Sequence, residues 1–100
     1  MRREIRAPWA LTTSQLELLT VLPENATPLE GQKGRWKVLK GWDLRDRSTR
    51  TAWAAIPPSH RLVRGGSKYA ASEKRVSPVV ARILAGSASM HEVLLGGGAS

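Results

Sequence analysis

The chain contains no cysteine and no phenylalanine, and it has a single tyrosine among its 100 residues. Without cysteine, disulfides, thiolate catalysis and Cys-based zinc sites are excluded, and the composition suits a reducing compartment such as the cytoplasm. Without phenylalanine, four tryptophans must supply most of the large apolar area of any core. They are Trp9, Trp36, Trp42 and Trp53.

Long apolar runs are also missing. No run approaches the roughly 18 residues of a transmembrane helix, and no hydrophobic signal region of secretory length follows the N-terminus, so we expect a soluble protein. A chain of 100 residues is sized for one domain with a small core. We predict an N-terminal arm at 1–10, a single basic domain at 11–95 and a flexible glycine-rich tail at 96–100.

Catalytic and metal-binding patterns are lacking as well. The eight acidic residues are scattered, and no serine lies in a GxSxG setting. GGSK at 65–68 lacks the spacing of a phosphate-binding loop. His60 and His91 have no companion at metal-ligand spacing. We therefore expect neither an enzyme nor a metal or cofactor site.

Positive charge is concentrated in the middle of the chain. Residues 33–75 hold 12 Lys and Arg against 3 Asp and Glu, while 1–32 and 76–100 are nearly neutral and the formal net charge is +8. A positive block between neutral ends concentrates electrostatic potential where a polyanion can dock. Nucleic acid is the expected partner. An acidic protein surface and a solvated basic face without a ligand are the alternatives.

Helix start signals stand near both ends of the predicted domain. Thr12 and Gln15 have the spacing of a capping box ahead of an apolar run that Pro23 ends. Ser77 can cap a later helix that has Pro78 at its first position. A short helical piece at 89–95 follows.

The segment from Asp46 to Ile56 is predicted to be a helix with two different sides. Asp46 can cap it, and Pro57 ends it. The positions expected on its inner side recur at helical spacing, namely Thr49, Ala52, Trp53 and Ile56. Its opposite side is basic and carries no large apolar side chain. It holds Arg47, Arg50 and Thr51, and Arg45 lies just ahead of the helix. Such a helix suits a DNA major groove, which is about 12 Å wide.

The rest of the basic block contains a predicted hairpin and one undecided segment. Gly65 and Gly66, between Arg61–Arg64 and Ser67–Ala70, predict a β-hairpin with a two-residue turn. Residues 29–42 fit either a helix or a strand formed by RWKVLK. Each glycine in this segment would cost the helix about 1 kcal/mol relative to alanine. Both structures remain open for the segment.

Helix, undecided segment, basic helix and glycine-tipped hairpin, in this order, resemble a winged helix-turn-helix domain over residues 11–71. LTTSQLELL corresponds to its first helix, LRDRSTRTAWAAI to its turn and recognition helix, and HRLVRGGSKYAAS to its wing. The resemblance implies an α+β fold that binds double-stranded DNA, with the recognition helix in the major groove and the wing at phosphate or the minor groove. The residues implied are Arg45, Arg47, Ser48, Arg50, Thr51, Arg61, Arg64, Ser67 and Lys68.

The resemblance further implies a transcriptional regulator, cytoplasmic or nucleoid-associated, and a homodimer through residues 78–95. The structural competitor is a small β-barrel with flanking helices, built from RWKVLKGW, TAWAAI and the hairpin, which would suit structured RNA as in a ribosomal-type component. A further alternative is an inhibitor or accessory factor that docks on an acidic partner. Trp36, Trp42 and Trp53 are either core residues or stacking platforms for unpaired bases.

Overall fold

The structure is a computed structural model that describes residues 4–7, 10–22, 36–65 and 72–94. The described residues form a small α+β domain, in agreement with the predicted class. Its elements in chain order are β1 (Glu4–Arg6), α1 (Thr13–Thr20), β2 (Lys37–Lys40), α2 (Arg47–Ala55), a 3₁₀ turn (Pro58–His60), β3 (Arg61–Arg64), β4 (Glu73–Val76), α3 (Pro78–Leu84) and α4 (Met90–Leu94).

The four strands form one open, mixed sheet in the order β1-β2-β4-β3. β1 runs parallel to β2, whereas β4 is antiparallel to both β2 and β3. Because β1 and β3 lie at opposite edges of this sheet, it does not close, and the alternative of a β-barrel is wrong. TAWAAI, which the barrel required as a strand, lies mostly in α2, since alanine favours a helix over a strand.

The sheet has two faces because side chains alternate along each strand. Ile5, Leu39 and Val76 lie on one face and share an apolar core with residues from every described helix. All described helices therefore cover this face, which we call the inner face. The residues that alternate with them form the outer face, which includes Arg6, Val38, Lys40, Leu62, Arg64, Glu73 and Arg75.

The predicted helix starts are confirmed. The Thr12 hydroxyl accepts the Gln15 N–H at 3.1 Å, and the Gln15 side chain accepts the Thr12 N–H at 2.8 Å, which completes the capping box of α1. Gln15 Nε2 also donates to the Ile83 carbonyl at 3.2 Å and so connects α1 with the end of α3. Ser77 caps α3 by accepting the Val80 N–H at 3.3 Å.

The undecided segment contains a strand at its end. Residues 37–40 form β2, and Gly41 leaves the strand with a φ of +77°, a backbone angle that favours glycine. Residues 41–46 form no helix before α2 begins, and 29–35 lie outside the described residues. Trp36 and Trp42 are buried, with 9% and 4% of their surface exposed, so neither offers an open platform for bases.

The first arm of the predicted hairpin is a strand, but it pairs with a later segment than the prediction had, so the predicted two-residue turn is wrong. β3 pairs with β4, and Arg64 lies opposite Glu73. The paired ends are therefore joined by residues 65–72 and not by a two-residue turn. β4 is a central strand with a fully buried Val76, and burial of one strand face sets register more strongly than a local Gly-Gly signal. The predicted second arm, Ser67–Ala70, lies outside the described residues.

The ends of the chain add one unpredicted strand. β1 falls inside the predicted arm. It is defined by its pairing with β2, and its three residues have no pattern that would predict a strand. The predicted tail, 96–100, lies outside the described residues. Within the described ranges, no helix is both long and apolar enough to span a bilayer.

Candidate nucleic-acid interface

Helix α2 has the buried back that the sequence predicts. Thr49, Ala52 and Ile56 are each exposed by 2% or less. The Asp46 carboxylate accepts the Thr49 N–H at 2.9 Å and the Thr49 hydroxyl at 3.0 Å, so the cap also satisfies the one polar side chain on this back. Burial of these residues fixes the rotation of the helix and directs its other side to solvent.

The solvent side of α2, which we call the α2 face, consists of Arg47, Ser48, Arg50 and Thr51. Both arginines and Thr51 are exposed, and Ser48 is half-buried. Positions three and four residues apart share one side of a helix, so Arg47 lies beside both Arg50 and Thr51. Arg50 Nη1 donates to the Leu44 carbonyl at 3.3 Å. Among the described residues, no carboxylate pairs with Arg47 or Arg50, and both charges face solvent.

A groove of about 270 Å³ runs beside the α2 face. Leu11 and Leu16, the apolar pair that flanks the start of α1, form part of its wall together with Ala10 and Ala52. Its rim is polar and is formed by residues of the α2 face, namely Arg47, Ser48 and Thr51. The α2 face therefore borders a shallow apolar depression.

Arg45 lies ahead of α2 in a local ion pair. Its Nη2 lies 2.8 Å from Asp43 Oδ2, and its side chain is 91% exposed. Hydrogen bonds from the Arg45 side chain and backbone hold the pKa of the Asp43 carboxyl at about 2, below its ordinary value of 3.8. Asp43, which the sequence interpretation did not select, thus compensates one of the predicted cations, and a phosphate would compete with it for Arg45.

Arg61 forms its interactions inside the domain. Its Nη1 donates to the Trp53 carbonyl at 2.7 Å, and its guanidinium carbon lies 5.2 Å from the centre of the Trp53 ring. Trp53 is half-buried and packs against the core. Arg61 therefore connects the end of α2 with the start of β3. It differs in this respect from the exposed arginines of the α2 face.

The predicted residue Arg64, and two other cations of the basic block that were not predicted as site residues, lie apart from the α2 face. Arg64 is exposed on the outer face of the sheet, on the side away from the described helices. Arg75 pairs with Glu73 at 2.6 Å. Lys74 is buried and donates to the Ser72 carbonyl at 3.2 Å. Two predicted wing residues, Ser67 and Lys68, lie outside the described residues.

The described part of the chain contains no group of three or more His, Cys, Asp or Glu side chains that could hold a metal ion. His60 is fully buried, and its Nδ1 lies 3.0 Å from the Ser77 hydroxyl, which also caps α3. A buried histidine with such a partner is a structural residue of the core.

Comparisons of the chain with protein-family models, with curated proteins and with solved structures give no match. No relative therefore assigns a role to any of these residues. Two exposed cations, Arg6 and Lys40, were not selected from the sequence. They lie beside each other only because β1 pairs with β2 in parallel register, and no local motif signals that pairing.

Proposed function

We propose that the protein binds double-stranded DNA and that the α2 face enters the major groove. The observation that carries this proposal is the division of one helix into a buried back and a solvent side with two arginines that pair with no described carboxylate. Because the buried side holds the helix in place, its solvent side is already exposed and the helix needs no rearrangement before it binds DNA. The corresponding role is that of a small regulator of transcription.

The dimensions of α2 support this mode of binding. A helix of nine residues is roughly 13 Å long at 1.5 Å per residue, and the major groove, about 12 Å wide, admits a helix. Ser48, Thr51 and Ala54 keep the solvent side free of large apolar groups. Arginine can bind the edge of guanine with two hydrogen bonds or contact phosphate, and serine and threonine hydroxyls contact either base edges or phosphate.

The order of elements supports the winged-helix form of this proposal, but Arg64 of the wing lies on the outer face of the sheet and is not assigned to the duplex that the α2 face binds. The hairpin of β3 and β4 follows α2 directly, and β2, β4 and β3 are neighbours in the sheet. Dimerisation through residues 78–95 would have to use α4, because α3 buries five of its seven residues in its own core. On α4, Met90 and Leu94 are 38% and 59% exposed and could form such a contact.

The test is a titration of a labelled duplex with the full chain, followed by fluorescence anisotropy between 50 and 200 mM salt. If about six phosphates are neutralised, log K should fall with log salt at a slope near −5. Replacing Arg47 and Arg50 together with Gln should weaken binding and make the slope shallower by roughly 2. The melting temperature should stay close to that of the wild type, because both side chains are exposed.

A matched control is the pair Arg6→Gln with Arg64→Gln, which removes two exposed arginines on the other side of the sheet. Both double variants lower the formal charge by two, so a difference between them reports position and not total charge. Wild-type affinity and slope in the α2 variant would contradict the proposal. Tighter binding to a structured RNA than to duplex DNA would favour an RNA-binding protein instead.

A further inference from the structure

We infer that the groove between α1 and α2 receives the 5-methyl group of a thymine and so gives the protein a preference for thymine at that position of the duplex. The inference concerns the groove of about 270 Å³ beside the α2 face. It rests on the proposed function, because it adds a base preference to a helix that enters the major groove.

The groove lies where the starts of two helices meet. Its α2 side is formed by four residues on one flank of the helix, since positions three and four residues apart are neighbours on a helix surface. They are Arg47, Ser48, Thr51 and Ala52. Its other side is apolar and consists of Ala10, Leu11 and Leu16. The groove therefore combines polar side chains on one side with hydrocarbon on the other.

Contacts within the domain hold both sides of the groove in place. The capping box of Thr12 and Gln15 fixes the start of α1 between Leu11 and Leu16. On the α2 side, Ala52 is only 2% exposed and belongs to the core. The backbone that carries the groove is therefore set before any ligand binds.

The chemistry of the groove matches the one apolar group that DNA presents in its major groove. Each base pair shows hydrogen-bond donors and acceptors there, and thymine adds its 5-methyl group. A duplex contacted by Arg47 and Thr51 would bring base edges to the groove, since both residues line it. Leu11 and Leu16 offer the methyl group an apolar contact, whereas the amino group of a cytosine would lose its water there without gaining a partner.

The groove is open to solvent, which favours a duplex over other occupants. Leu16 is 39% exposed, and Ala10 and Thr51 are exposed as well. Small-molecule sites bury most of their ligand, whereas a free small molecule would stay in contact with water here. An acidic protein segment would need several cations, and Arg47 is the one charged residue among the described residues that line the groove. A duplex held by the α2 face would cover the groove without further cations.

The experiment compares two duplexes that differ only in methyl groups. One is a duplex of repeating TG and CA steps, and the other has deoxyuridine in place of every thymine. Both carry the same phosphates, so contacts with the backbone are equal. The affinity of the full chain for each is measured by fluorescence anisotropy at one salt concentration. Burial of one methyl-sized group corresponds to about fourfold in affinity, so the wild type should bind the deoxyuridine duplex about fourfold more weakly.

Three variants test whether the groove causes this difference. Leu16→Asn makes the apolar wall polar and should remove most of the difference between the duplexes, whereas Leu16→Met keeps the wall apolar and should retain it. Val21→Asn is the matched control, because Val21 is 37% exposed at the end of α1, does not line the groove and should leave the difference unchanged. Melting temperatures show whether each variant is folded. The comparison of the two duplexes with the wild type needs no variant.

The outcomes separate this inference from the proposed function. Equal affinity of the wild type for both duplexes would overturn the thymine site and leave the DNA-binding proposal standing. A difference that persists in a folded Leu16→Asn variant would place the methyl group elsewhere and would also overturn it. Absence of binding to either duplex would overturn the proposed function, and the thymine site with it. Binding of a glutamate–leucine copolymer that Leu16→Asn weakens, together with equal affinity for the two duplexes, would assign the groove to an acidic protein segment instead.

Discussion

Replacement of Arg61 by alanine separates a structural role of this arginine from a role in DNA binding. Arg61 Nη1 donates to the Trp53 carbonyl at 2.7 Å, and the guanidinium lies 5.2 Å from the centre of the Trp53 ring. Both contacts join the last turn of α2 to the first residue of β3. Their loss should lower the free energy of unfolding and loosen the attachment of α2 to the sheet.

The size of the effect follows from these two contacts. A hydrogen bond to a charged group contributes about 1.5–3 kcal/mol, and a cation over an aromatic ring at a partly exposed site adds about 0.5–1 kcal/mol. Because one guanidinium makes both contacts, we expect a total of about 2–3 kcal/mol for Arg61→Ala. For a domain of this size each kcal/mol corresponds to about 4–8 °C in melting temperature.

The assay is urea unfolding followed by the fluorescence of the four tryptophans, with duplex affinity measured on the same samples. Arg64→Ala is the matched control, because Arg64 lies in the same strand and is exposed on the outer face. It should change the free energy of unfolding by less than about 0.5 kcal/mol. Arg61→Lys keeps the charge and should recover part of the stability lost in Arg61→Ala.

Two results would refute this account of Arg61. One is an Arg61→Ala variant as stable as Arg64→Ala, since the contacts with Trp53 would then contribute nothing. The other is a variant of unchanged stability that binds duplex DNA much more weakly. Such a variant would show that Arg61 acts at the interface, as the family resemblance implies.

Two more predictions concern the acidic residues beside α2. Asp46→Ala removes both hydrogen bonds to Thr49 and should cost about 1 kcal/mol in urea unfolding. Asp43→Ala removes an exposed ion pair and an exposed hydrogen bond from the Arg45 N–H and should cost much less, so equal losses would contradict the capping role. The pKa of the Asp43 carboxyl should be about 2 by NMR titration, so its stabilising contribution is present above the ordinary value of 3.8 and is lost as pH falls through 2. Arg45→Gln should return that pKa toward 3.8, and an unchanged value would exclude Arg45 as the cause.

Local chemistry in the sequence determined where the helices begin and which side of α2 is buried. Thr12, Asp46 and Ser77 act as caps because their side-chain oxygens lie within reach of N–H groups three residues further along the same chain. The back of α2 follows from helical spacing alone. These features depend on neighbours in sequence, so they can be predicted before any tertiary contact is known.

Pairing between distant segments determined the rest. Whether an arginine is free or engaged depends on which residue the fold places beside it. Arg61 meets Trp53 across a change of element, while Arg47 and Arg50 meet no described carboxylate. Charge density along the sequence could therefore identify a basic block without showing which of its charges reach solvent.

The sequence by itself determined the helices, their caps and the two sides of α2, because these follow from periodicities of a few residues. Only the tertiary structure determined the open sheet, the parallel pairing of β1 with β2 and the register of β3 with β4. Strand order and register are set by which faces become buried when the whole domain packs. The charges of the middle of the chain were consequently divided between two sides of the sheet, where the sequence had suggested one surface.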